Sequence, residues 1–136
     1  MTEDDLAALA WVRENTPEDA CFFINTTHWL SGVYSGTDGG GWLLPLTGRW
    51  ALVPTVFYGF SNDPAYKIQL RELGEQASDI TTCDAAFWDL VAEAELDWIY
   101  IREGVGGLQP EKLIGCTGVE KVYKGAGVEI YRLGKK

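Results

Sequence analysis

The chain has 136 residues, 46% of them hydrophobic, enough for one globular domain whose core needs no metal or disulfide staple. Twenty acidic against eleven basic residues give a net charge of −9, which repels phosphate backbones and excludes nucleic acid as a partner. No apolar run approaches the roughly 20 residues that span a bilayer, and Met1-Thr2-Glu3-Asp4-Asp5 does not read as a secretory leader.

Taken in order, Thr2 caps a first helix whose opening turn, Glu3-Asp4-Asp5, suits the positive end of the helix dipole. Leu6, Leu9, Ala10 and Arg13 fall at helical spacing, and Asn15-Thr16-Pro17 stops the helix. Cys21 to Asn25 is a short continuous apolar run and reads as a buried strand. A long Gly-rich connection follows, and Trp50 to Val53 forms a second strand closed by Pro54.

Asp63-Pro64 then starts a helix carried by Ile68, Leu70, Leu73 and Ala77 to about Ser78. Asp84 caps another, with Phe87, Leu90, Val91 and Ala94 as its apolar face. Trp98 to Ile101 is the clearest strand in the chain. A short helix around Pro110–Ile114 leads to two alternating segments, VEKVYK and VEIYRL, joined by Gly125-Ala126-Gly127 as a β-hairpin. Helix-linked strands without alternation imply a sheet covered on two sides. The expected fold is α/β and three-layer: a mainly parallel mixed sheet, helices on both faces and a C-terminal antiparallel β-hairpin.

Three cysteines, Cys21, Cys83 and Cys116, lie far apart, and the single histidine does not complete a zinc set, so no metal or cofactor is expected. Buried thiols are the plain reading of these cysteines, with a Cys83–Cys116 disulfide as the alternative.

The connection from His28 to Val53 is where a site is expected, at one edge of the sheet. It holds the only histidine, three of the six tryptophans and six of the sixteen glycines. Gly36–Gly41 lacks the GK[ST] ending of a phosphate-binding loop and does not open into a helix, so it reads as a turn. Asp38 at its centre is a possible ligand contact, but no nearby second carboxylate makes it a cation site. His28 has the chemistry for proton transfer, yet no nucleophile–base–orienter set accompanies it. Thr47-Gly48-Arg49 brings an arginine into an apolar strand, where it needs a counter-charge: Asp79 or Asp97, or a phosphate or sugar-phosphate. Trp29, Trp42 and Trp50 offer faces on which a sugar can stack. The candidate ligand-binding residues are therefore His28, Trp29, Asp38, Trp42 and Arg49, with no catalytic residue assigned.

The order of local features also resembles a known group. Trp11 to Pro17 (WVRENTP), an apolar strand, Gly48-Arg49 entering the next strand, Trp98 to Ile101, and Val122-Tyr123 with Val128 to Arg132 follow one another. This series resembles the C-terminal domain of polytopic bacterial GT-C-type glycosyltransferases, relatives of the dolichyl-phosphate-mannose mannosyltransferase-like and YfhO-like proteins. The resemblance implies a non-catalytic accessory domain on the extracytoplasmic face of the cell membrane. Its partner would be its own transmembrane region, and its ligand a sugar or lipid-linked sugar-phosphate. Two alternatives stand beside it: a stand-alone small-ligand-binding module, and a small hydrolase using His28.

Overall fold

The computed structural model describes residues 3–30, 33–36, 47–51, 64–102, 107–125 and 127–134. Helix α1 spans Glu3–Asn15, with Glu3, Asp4 and Asp5 in its first turn and Arg13 in its last, the charge order its dipole favours. Strand β1 (Cys21–Ile24) follows, then a separate antiparallel pair, β2 (Thr26–Leu30) and β3 (Val33–Gly36). Strand β4 is Trp50–Ala51. Helices α2 (Pro64–Ser78) and α3 (Ala85–Ala94) lead to β5 (Trp98–Arg102). A single helical turn, α4 (Pro110–Leu113), precedes β6 (Val119–Lys124) and β7 (Val128–Leu133).

The main sheet has the order β4-β1-β5-β7-β6. β4 and β5 both run parallel to β1, whereas β7 is antiparallel to β5 and β6 to β7. The sheet is therefore evenly mixed, where a mainly parallel one was expected. The reason is that β7 docks directly on β5, so the last two strands supply half of the pairings.

Alternate residues along the strands enter two separate core clusters. Phe23, Ile99, Ile101, Tyr131 and Leu133 pack with Leu73 and Ala77 of α2 and with Phe87, Leu90 and Val91 of α3. Phe22, Ile24, Tyr100, Val128 and Ile130 pack with Ala8, Leu9 and Val12 of α1. Burial of both residue sets explains why β1 and β5 read as unbroken apolar runs. Each fully buried side chain of this size contributes about 1.5–3 kcal/mol.

Two expectations shift. The buried stripe of α1 is Asp5, Ala8, Leu9 and Val12, while Leu6 is half exposed and Arg13 points to solvent. A hydropathy reading rejects Asp5 from the core; its partners, described below, are what hold it there. The connection after β1 is also more regular than a loop. His28 and Trp29 lie on β2, with His28 paired opposite Tyr34 of β3 and a register shift between His28 and Leu30. Thr-Thr-His-Trp-Leu and Val-Tyr-Ser-Gly are rich in β-formers on either side of Ser31-Gly32, a signal that the glycines nearby obscured.

Candidate functional site

Arg49 is the best-defined of the expected site residues. It is 9% exposed and precedes β4, where Trp50 N–H donates to Ala20 O at 3.1 Å. Its Nη2 donates to Arg13 O at 3.0 Å and to Thr16 O at 2.8 Å, and Nη1 donates to Thr47 O at 2.8 Å. Nε donates to Thr16 Oγ1 at 3.3 Å, and that hydroxyl itself donates to Val12 O at 2.7 Å. Helix C-termini leave carbonyls without intrahelical partners, and the planar guanidinium fork answers two directions at once. Arg49 thus clamps the end of α1 to the start of β4. Among the described residues it makes no ion pair with Asp79 or Asp97, so the expected carboxylate partner is replaced by main-chain carbonyls.

The other expected residues lie elsewhere. β2, which carries His28 and Trp29, begins just past the end of β1, whereas Arg49 sits level with its start. β1 therefore lies between them and does not bring Arg49 to the His28 end. Asp38 and Trp42 fall outside the described residues.

At the end of β1, buried Asn25 completes the backbone bonding of a neighbouring segment. Its Nδ2 donates to Leu108 O at 2.9 Å, and its Oδ1 accepts from Leu108 N–H at 2.9 Å. Next to it, Thr26 Oγ1 donates to Gly74 O at 2.7 Å and ties β2 to the middle of α2. Asn25 thereby gives the buried Leu108 N–H and C=O the partners that burial would otherwise deny them.

Two buried carboxylates escaped the sequence reading. Asp5 is 1% exposed and accepts from Tyr100 Oη at 2.6 Å and from Arg102 Nη1 at 3.2 Å. The pair joins the first turn of α1 to the end of β5. Asp5→Ala is expected to cost about 2–3 kcal/mol, because Tyr100 and Arg102 then lose a buried acceptor. Chemical denaturation at neutral pH measures it, and a loss under about 1 kcal/mol would mean that water replaces the carboxylate.

The second carboxylate, Glu129, is 6% exposed and forms an ion pair with Lys121 on β6. Lys121 Nζ also lies 6.0 Å from the centre of the Tyr131 ring. Burial first, and then the charge of Glu129 and its hydrogen bond, push the Tyr131 hydroxyl well above its ordinary value of 10.0. The folded chain keeps that proton at pH values where the unfolded chain has lost it. Stability is therefore expected to fall as pH rises past about 10. Phenolate absorbance followed through alkaline unfolding checks this: Tyr131 should ionise only as the fold is lost.

Among the described residues, no helix is long and apolar enough to cross a membrane, and no group of three or more His, Cys, Asp or Glu side chains is placed to hold a metal ion. Cys83 and Cys116 are joined by a disulfide with a Cα–Cα distance of 6.3 Å, so the alternative reading of these cysteines applies, while Cys21 remains a thiol.

No protein-family model and no curated protein sequence matches the chain. Its fold is similar to a solved crystal structure, the C-terminal globular domain of an oligosaccharyltransferase from Archaeoglobus fulgidus. The TM-score is 0.61, the match covers 98% of each chain, and sequence identity is 15%. At that identity the likeness is one of fold: the chain has the α/β architecture of a globular domain found at the C-terminus of an oligosaccharyltransferase.

Proposed function

We propose that this chain is a non-catalytic accessory domain of a membrane-bound glycosyltransferase-like protein, lying on the extracytoplasmic face. The observation that carries the reading is the end-to-end fold likeness to a C-terminal globular domain of an oligosaccharyltransferase, with 98% of both chains matched. That neighbour belongs by name to a sugar-transferring enzyme, the same broad kind that the sequence resemblance implies. In this reading the domain has three layers, α1 on one face of the sheet and α2 and α3 on the other, with β6 and β7 as a closing hairpin.

The Cys83–Cys116 disulfide supports an extracytoplasmic position, since such bonds persist in oxidising compartments and are rare in the cytosol. The partner is the protein's own transmembrane region, and the domain helps to position an acceptor or a lipid-linked sugar. His28, Trp29, Asp38 and Trp42 keep a ligand-contacting role in this proposal. Arg49 belongs to the framework, because its guanidinium is buried and four of its hydrogen bonds go to Arg13 of α1, to Thr16 just past it, and to Thr47.

Sequencing the native gene upstream of codon 1 tests the reading. Several in-frame apolar stretches of roughly 20 residues are expected there. A stop codon and ribosome-binding site directly before Met1 would sink it.

A further inference from the structure

A groove of about 480 Å³ opens where the border strand β4 meets the C-terminal end of α3. Among the described residues it is lined by Asp19, Cys21, Trp50, Ala94, Glu95 and Asp97. Main-chain bonds fix its floor. Trp50 is in register with Cys21, and Asp97 N–H donates to Cys21 O at 2.9 Å, so three neighbouring strands begin side by side.

The indole of Trp50 forms one wall. It is 53% exposed, so much of a large aromatic ring is accessible to a partner at the groove. The end of α3 also lines the groove, through Ala94 and Glu95, and it has no basic residue in its last turn. A helix C-terminus carries partial negative charge and favours a cation. Glu95 caps that helix with φ 55°, and it is the only non-glycine residue with positive φ among those described. Neither Asp19 nor Glu95 enters an ion pair among the described residues, and the described lining contains no lysine or arginine.

An aromatic face, a helix C-terminus and carboxylates all attract the same thing. A phosphate or acidic sugar is repelled by every charged group of the described lining, and a neutral sugar does not engage the charge. A guanidinium or ammonium group gains from all three through cation–π contact, dipole and ion pairing. Because β4 borders the sheet, an extended segment can run beside it while one side chain enters the groove. We propose that this groove binds a basic polypeptide segment, with an arginine or lysine side chain stacked over Trp50 and against Asp19 and Glu95. The inference stands on these residues alone and does not depend on the accessory-domain reading.

The test is calorimetric titration of the full chain with hexa-arginine, at low and at physiological salt. One saturable site is expected. Trp50→Ala should weaken it about tenfold and Glu95→Gln about threefold to fivefold. Glu120→Gln, which removes the same charge from an exposed position on β6, should leave the affinity unchanged. Circular dichroism confirms the fold of each variant, and Glu95→Gln carries the test if Trp50→Ala does not fold. Equal weakening by Glu120→Gln would reduce the binding to diffuse attraction by the net charge of −9 and overturn the proposal. So would the absence of binding, or a neutral oligosaccharide that saturates the groove and is lost with Trp50.

Discussion

Arg49→Ala is expected to lower the free energy of unfolding by about 3–5 kcal/mol. The guanidinium is nearly buried and supplies donors to the carbonyls of Arg13, Thr16 and Thr47 and to the Thr16 hydroxyl. Truncation strips those carbonyls of their partners and leaves a void where α1 meets β4. Each buried polar group left without a partner costs about 1–3 kcal/mol, and the losses overlap because they share one cavity. Arg49→Lys keeps the charge but not the planar fork, so it should recover only part of the loss, leaving about 2–3 kcal/mol. Urea denaturation of the three proteins gives the numbers. A loss under about 1 kcal/mol for Arg49→Ala would show that water satisfies these carbonyls and that the clamp is dispensable.

Removing the disulfide has an effect of similar size by a different route. Cys83 and Cys116 are 33 residues apart in sequence, and closing a loop of that length removes enough unfolded-state entropy to stabilise the fold by about 4 kcal/mol. The double variant Cys83→Ser/Cys116→Ser should lose that amount, and the wild-type chain in reductant should unfold at the same denaturant concentration as the variant. Insensitivity of the wild-type midpoint to reductant would mean that the two thiols do not bond in the native protein. The bond links the residue before Asp84, the cap of α3, to the segment after α4, so loss of protection should appear first around α4.

Much of the fold was legible in the sequence where local chemistry and periodicity agree. Asp84 reads as a cap because it precedes Phe87, Leu90 and Val91 at helical spacing, and its side chain accepts from Phe87 N–H at 3.1 Å. The unbroken apolar run Trp98 to Ile101 marks a strand, and it makes up all of β5 but its last residue. What stayed hidden depends on partners distant in sequence. Asp5 looks like a surface residue until Tyr100 and Arg102, more than ninety positions away, are seen to face it. The cysteine spacing left open whether Cys83 and Cys116 meet, since nothing local brings two residues 33 apart together.

The candidate site was less legible than the fold. The sequence marks Arg49 as a cation needing an acceptor, but a pattern cannot distinguish a carboxylate from a set of main-chain carbonyls. The sequence offers Trp50 as a stacking face for a sugar, but hydropathy does not tell a border strand from a central one, nor which charges lie beside the ring. The structure leaves its ring half in water beside acidic side chains.

The two borders of the main sheet differ in sequence but share a physical result. On one side the described part of β4 is Trp50–Ala51, which leaves room for a short segment to lie beside it but not for a long, flat added strand. On the other, β6 carries Glu120, Lys121 and Lys124, with a register shift between Lys121 and Tyr123 that bends the strand away from flat pairing. A short border and a bent one give a second copy of this chain little flat edge to pair with, so copies crowded together at high concentration should stay dispersed instead of zippering into fibres.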